Sequence, residues 1–207
     1  MIRRLIQILI FGVCVASDLA PAQESPDAMV KRAVGDVTQA LKADKEIRAG
    51  SRQRLNTLVD TKILPYVDIV LMTRSAAGRH WARATPEQQQ ALTREFKALL
   101  TNTYSGAFTS FRDDTVIEYK PVRAPPADNA AVVRSVINPD SREPILINYY
   151  LEKIDGTWKV TDFDVMGVRL VETYKNQFNT EASANGVDGL IKKLAEKNRA
   201  IEARARA

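Results

Sequence analysis

The sequence predicts an α+β domain, with helices packed on a curved antiparallel four-stranded sheet. Three observations predict it. Apolar residues recur at helical spacing from Pro26 to about Ser110. Between Thr115 and Val165 the pattern switches to period two, in four runs joined by short turn signals. Helical spacing then returns towards the C-terminus. Helices and strands are thus grouped along the chain and do not alternate, which favours an antiparallel meander over βαβ units.

The N-terminus comes first. Arg3 and Arg4 form a short positive region, Leu5 to Val15 is apolar and uncharged, and Ala20-Pro21-Ala22 offers small residues where a signal peptidase reads. The alternative is an uncleaved membrane anchor, but a comfortable span needs ~20 apolar residues. Cys14 follows Val13, a bulky neighbour that suits lipoprotein processing poorly. The expectation is a cleaved signal peptide at 1–22, one domain at 23–200 and a disordered tail at 201–207, where alanine alternates with charge. Cleavage removes the only cysteine, so the exported, soluble chain holds no disulfide and does no thiolate chemistry. It is long enough to be held by its core alone.

The first helix carries Met29, Val30, Ala33, Val34, Val37 and Leu41 on one stripe, with Pro26 in its first turn and Gly50 at its end. Ser51 can cap the next, which buries Leu55, Leu58, Val59 and Ile63 before Pro65 interrupts. A short helix from about Val67 to Ala77 closes at Gly78. Thr85-Pro86-Glu87-Gln88 is a capping box with proline at the first helical position. The helix it opens bears Leu92, Phe96, Leu99, Leu100, Thr103, Ala107 and Phe108, and is expected to reach Ser110.

Four strands follow, at Thr115 to Lys120, Ala131 to Ile137, Ile145 to Lys153 and Thr157 to Val165. The first two are joined by the proline loop at Pro125-Pro126, the next by Asn138-Pro139-Asp140, and the last pair by a tight Asp155-Gly156 hairpin. Gly167 breaks the pattern, Val168 to Phe178 reads as helix, and a last helix covers Val187 to Ala200. On the third strand Ile145, Ile147, Tyr149 and Leu151 share one face, and Leu146, Asn148 and Tyr150 the other. Both faces are partly apolar, so the sheet is either covered on both sides or lines a cavity on one.

Chemistry is sparse. His80, the only histidine, sits beside Trp81 with no implied nucleophile or acid, and reads as a half-buried polar residue. No His/Cys set has metal-binding spacing, no glycine-rich phosphate loop is present, and the stretch around Ser75 is not a nucleophile elbow. Asp162 and Asp164 share a strand face, as a carboxylate pair or, more simply, as solvated or backbone-bonding groups. The chain holds 30 Lys+Arg against 25 Asp+Glu, net +5. That mild, mixed charge suits anionic lipid surfaces or acidic protein patches. No basic cluster interleaved with aromatics marks a nucleic-acid groove.

Two blocks carry a family likeness. The first is Pro65-Tyr66-Val67-Asp68, Met72-Thr73-Arg74, Gly78, Trp81, Ala84-Thr85-Pro86-Glu87-Gln88-Gln89 and Phe96 to Tyr104. The second is Gly156, Trp158-Lys159-Val160, Asp162, Val165, Gly167-Val168, Leu170-Val171, Thr173-Tyr174 and Gln177-Phe178. In this order they resemble the MlaC, or toluene-tolerance, family of periplasmic proteins. The resemblance implies a fold like nuclear transport factor 2 and a non-enzymatic, monomeric carrier of phospholipid with no cofactor. It implies exchange with an outer-membrane lipoprotein complex and an inner-membrane ATP-driven (ABC) transporter, with transient contact at membrane surfaces. Arg169, after the Gly-Val pair, and His80, before the tryptophan, depart from the family pattern.

A carrier of two acyl tails needs a deep, dry pocket at or beyond the top of the usual ~300–1,000 Å³ range. Alternation assigns its walls to Met72, Phe96, Leu100 and Tyr104 on helices and to Val133, Ile147, Tyr149, Leu151 and Val165 on strands, with Val168 after the glycine. The rival readings are a catalytic member of the same fold and an adaptor or chaperone without a small ligand. The first requires a polar cavity, the second an exposed apolar patch.

Overall fold

The computed structural model describes residues 24–123, 129–138 and 143–204. The expected signal segment 1–22, the Pro125-Pro126 loop, the turn at Pro139 and the last three residues lie outside these.

Helix α1 (Pro26–Ala43) starts where Ser25 Oγ accepts the Ala28 N–H, and buries Met29, Val30 and Leu41. It stops short of Gly50. The Asp44 carboxylate accepts the Glu46 N–H at 3.0 Å and opens a separate turn, α2 (Lys45–Arg48). Apolar spacing does not report such a break, because it comes from an aspartate competing for the backbone. Helix α3 (Arg52–Leu58) widens into a π turn (Val59–Ile63) just ahead of Pro65. Helix α4 (Ile69–Ala77) is capped by Asp68, which accepts the Leu71 N–H at 2.8 Å, and ends at Gly78 (φ 54°). A 3-10 turn (Gly78–Arg83) leads to α5 (Pro86–Thr103). There the capping box forms in both directions: Gln88 N–H donates to Thr85 Oγ1 (3.2 Å) and Thr85 N–H to Gln88 Oε1 (3.0 Å). The helix breaks at Tyr104, and α6 (Ser105–Thr109) continues as one short turn containing Gly106, a weak helix former.

The sheet is antiparallel in the order β1 (Val116–Arg123), β2 (Ala130–Asn138), β3 (Ile145–Ile154), β4 (Thr157–Val165) and β5 (Val168–Arg169). Asp155 (φ 47°) and Gly156 (φ 79°) make the two-residue hairpin expected between β3 and β4. Among the described residues there are five strands where four were expected. Met166 (φ 55°) and Gly167 (φ 84°) make a second tight turn, in which the Asp164 carboxylate accepts the Gly167 N–H at 2.8 Å. A methionine at positive φ gives no turn signal, so Val168 reads in sequence as the start of a helix. It is instead paired with Val165 in β5. At Thr161 the β3–β4 register slips by one residue, a bulge that bends the strand.

Helix α7 (Leu170–Arg204) is interrupted only at Gly186 (φ 71°, ψ −177°). The segment between the two expected helices is therefore helical. The helix also runs past Ala200 to Arg204, with Ile201 half-buried against the core.

Three apolar clusters hold the fold. Phe96 of α5 meets Tyr174 and Phe178 of α7 edge-on, each at 5.1 Å, among buried residues of α4, α5 and α7. Met29 and Val30 of α1 pack on Ala131, Val133, Leu151 and Val160 of the sheet. Leu41, Ile47, Leu55, Leu58, Val59 and Phe111 close the far end of α1.

Candidate lipid-binding cavity

The inner face of the sheet is built of cross-strand rows fixed by register. Ile117, Ile137 and Ile145 form one, Tyr119, Ser135, Ile147 and Val165 the next, and Val133, Tyr149 and Phe163 the third. Ala131, Leu151 and Val160 form the fourth. At that fourth row α1 lowers Met29 and Val30 onto the sheet, with Val30 and Val160 also bordering the cavity. Over the first three rows α1 presents Val34 and Val37, and a cavity of about 340 Å³ remains between helices and sheet. Its opposite wall comes from Met72 of α4, Leu100 of α5, Tyr104 at the break after α5, and Phe108 of α6.

The lining is almost wholly carbon. The buried Tyr149 hydroxyl meets Ser135 Oγ at 3.2 Å, and so is satisfied within the protein. Burial pushes its phenol up to about 12, and Tyr149 is neutral at physiological pH. Burial likewise raises Tyr104. Charge is met only at the rim. Lys62 is exposed there, and Lys97 bonds Asp60 at 2.8 Å.

The volume lies at the low end of the ~300–1,000 Å³ range, not at its top as expected. Large side chains on both walls, Tyr104, Phe108, Tyr149 and Phe163, occupy part of the gap.

Of the ten residues assigned from the sequence, Met72, Leu100, Tyr104, Ile147, Tyr149 and Val165 line the cavity. The other four do not. Phe96 points away into the α5–α7 core, where Tyr174 and Phe178 hold it. Val133 and Leu151 lie under α1 in filled core. Val168 is 47 % exposed on β5. Lining residues not assigned from the sequence include Val34, Val37, Phe108, Ile117, Ile137, Ile145 and Phe163. Ile145 carried the right signal, since it alternates with Ile147 and Tyr149.

The residues weighed for catalysis do not line the cavity. His80 is buried between the 3-10 turn and α7, its Nε2 3.2 Å from Asn179 Oδ1 and 3.4 Å from Ser183 Oγ, and it does not line the cavity. Asp162 is a buried structural carboxylate. One oxygen accepts the Phe163 N–H (2.8 Å) and the Val171 N–H (3.0 Å) at the start of α7. The other takes Arg169 Nε (3.0 Å) and Nη2 (2.7 Å). Arg169 also stacks over the Tyr150 ring at 4.0 Å. Among the described residues no cluster of His, Cys, Asp and Glu could hold a metal ion, and no helix is long and apolar enough to cross a membrane.

A family model described as MlaC protein matches residues 31–196, from the first turns of α1 to the second half of α7. The chain belongs to the MlaC family. Its relatives include the toluene tolerance protein ttg2D of Pseudomonas putida, 27% identical over 171 residues, covering 82% of this chain and 79% of that one. The intermembrane phospholipid transport system binding protein MlaC of Haemophilus influenzae is 25% identical over 181 residues, covering 86% and 84%. A solved structure, the phospholipid-binding protein from Ralstonia solanacearum in complex with a phospholipid, superposes with a TM-score of 0.82 at 43% identity, covering 86% of this chain and 99% of that one. The MlaC match takes in every residue that lines the cavity except Val30.

Proposed function

We propose that this chain is a periplasmic phospholipid carrier. It holds the acyl tails in the cavity between α1, α5, α6 and the sheet, leaves the head group at the rim, and does no covalent chemistry. The observation that carries this reading is a carbon-lined cavity whose buried tyrosine hydroxyl is already bonded within the protein. Such a wall offers nothing to a polar substrate and much to a hydrocarbon. Each methylene kept from water is worth ~0.8 kcal/mol. Two long tails therefore need on the order of 20 kcal/mol of shelter, and a carrier must replace the bilayer nearly completely. Membership of the MlaC family and the likeness to a phospholipid-bound structure support the same reading.

In this role the chain works as a monomer, exported by a cleaved signal peptide and needing no cofactor. It exchanges cargo with an inner-membrane ABC transporter complex and an outer-membrane lipoprotein complex, and so maintains outer-membrane lipid asymmetry. Met72, Leu100, Tyr104, Ile147, Tyr149 and Val165 contact the tails. Because the cavity is small for two full tails, the helical wall moves away from the sheet as they enter.

Native mass spectrometry of the protein from a Gram-negative periplasm, with lipid extraction alongside, tests the reading. Phospholipid in whole-number ratio to protein is expected. A clean apo mass that is unchanged after incubation with phospholipid vesicles would overturn it.

A further inference from the structure

A second opening lies beside the cavity, between α1 and the edge strand β1. It is about 420 Å³ and is lined by Gly35, Thr38, Gln39, Lys42, Ile117 and Tyr119, together with Thr115. Thr38, Thr115 and Ile117 line both spaces, so the opening adjoins the apolar cavity. Its character changes along its length. Ile117 belongs to the carbon-lined side, whereas Thr38, Gln39 and Lys42 succeed one another on the solvent end of α1.

The donors there are uncommitted. Lys42 is exposed and has no ion-pair or hydrogen-bond partner among the described residues. Thr115 Oγ1 accepts the Arg112 N–H at 3.1 Å, which leaves its own hydrogen to donate. No carboxylate lines the opening. Of the acids nearby in sequence, Asp113 pairs with Arg48 at 3.0 Å, and Asp114 is exposed beside Thr115 without lining the opening. Asp36 accepts the Tyr66 hydroxyl at 2.7 Å, and Asp44 caps α2. Glu118 is held by Lys120 and Asn138.

We propose that this vestibule is the head-group subsite, with Lys42 facing the phosphodiester and Thr38, Gln39 and Thr115 supplying neutral hydrogen bonds. The proposal rests on the carrier reading and deepens it. A lone cation without a carboxylate beside it attracts the phosphate, but gives an ammonium head group no partner. The site therefore favours anionic phospholipid over zwitterionic. The contact is exposed, so the preference is modest, roughly twofold to fivefold, and shrinks as salt rises.

The test strips the protein of lipid and reloads it from vesicles of equal phosphatidylglycerol and phosphatidylethanolamine. Native mass spectrometry reads the ratio of the two bound lipids and their total. Wild type is expected to load phosphatidylglycerol roughly twofold to fivefold in excess. Lys42→Gln should bring the ratio to parity by loading less phosphatidylglycerol, with the thermal midpoint of the lipid-free protein unchanged. Lys62→Gln, at the other rim of the cavity, should leave the ratio as in wild type. Parity in wild type, an unmoved ratio in Lys42→Gln, or a shift in Lys62→Gln in its place would each overturn the subsite while lipid is still bound. No lipid of either kind in any form would overturn the carrier reading, and the subsite with it.

Discussion

Ile147 and Leu151 lie on the same strand and the same face, and their sequence pattern is alike, yet the structure gives them opposite roles. Leu151 is 1 % exposed, flanked in its row by Ala131 and Val160, and roofed by Met29 and Val30 of α1. Truncating it to alanine leaves a hole in filled core, which costs about 3–5 kcal/mol. In a chain of this size that lowers the melting temperature by about 10 °C. Ile147 already faces open space on one side, so Ile147→Ala forfeits fewer contacts and costs about 1–2 kcal/mol. For cargo the order reverses. Ile147→Glu sets a charge in a carbon-lined wall with no partner in reach. Desolvating that charge by several kcal/mol should cut phospholipid occupancy by roughly a hundredfold or more. Leu151→Ala should keep near-normal occupancy at temperatures where it is folded. The stability comparison needs delipidated protein, because bound lipid adds its own stabilisation by mass action. Urea denaturation and native mass spectrometry of the three variants give both readouts. If Ile147→Ala proves the more destabilising truncation, or Ile147→Glu retains wild-type lipid, the division of this face into filled core and cavity wall is wrong.

Two further outcomes follow from polar groups held inside. Tyr149 titrates at about 12 in the folded chain and near 10 when unfolded. Both states are neutral below pH 10, and between pH 10 and 12 only the unfolded chain ionises. Stability should therefore fall with rising pH across that window by on the order of 3 kcal/mol. Tyr149→Phe should remove that part of the slope, and urea midpoints that decline as steeply in the variant as in wild type would refute the assignment. Asp162→Ala strips the acceptor from two backbone N–H groups, at Phe163 and Val171, and should cost about 3 kcal/mol. Arg169→Ala loses only a half-exposed partner and should cost about 1 kcal/mol or less. Equal losses in a thermal melt would mean that the ion pair, and not the capping of α7, is what Asp162 supplies.

Local chemistry was legible where one residue type has one use. Thr85 and Gln88 announce a capping box, and Asp155-Gly156 announces a hairpin because both positions need positive φ. The turn at Met166-Gly167 was not legible. Methionine has no preference for that conformation, and the turn is held by an aspartate two positions upstream of it. The end of α1 was hidden for a similar reason. The residues on either side of Asp44 keep helical spacing, and only the carboxylate's bond to Glu46 N–H divides them.

The cavity itself poses a harder problem than any element. Alternation states which residues face inward, and it placed Ile147, Tyr149 and Leu151 on one face correctly. It does not state whether the inward space is filled. That is decided by what another element, far away in sequence, brings to the opposite wall. Along α1 the change is small in chemistry and large in effect. Met29 packs on the sheet, Val30 and Val34 touch both the packed cluster and the cavity, and Val37 stands over open space. All four are apolar and lie on one helical stripe, so no pattern separates them. The information resides in how α1 lies against the sheet, close at the Leu151 row and apart at the Ile117 row. A lipid carrier thus uses the same residues as an ordinary core, and what distinguishes it is the spacing between its layers.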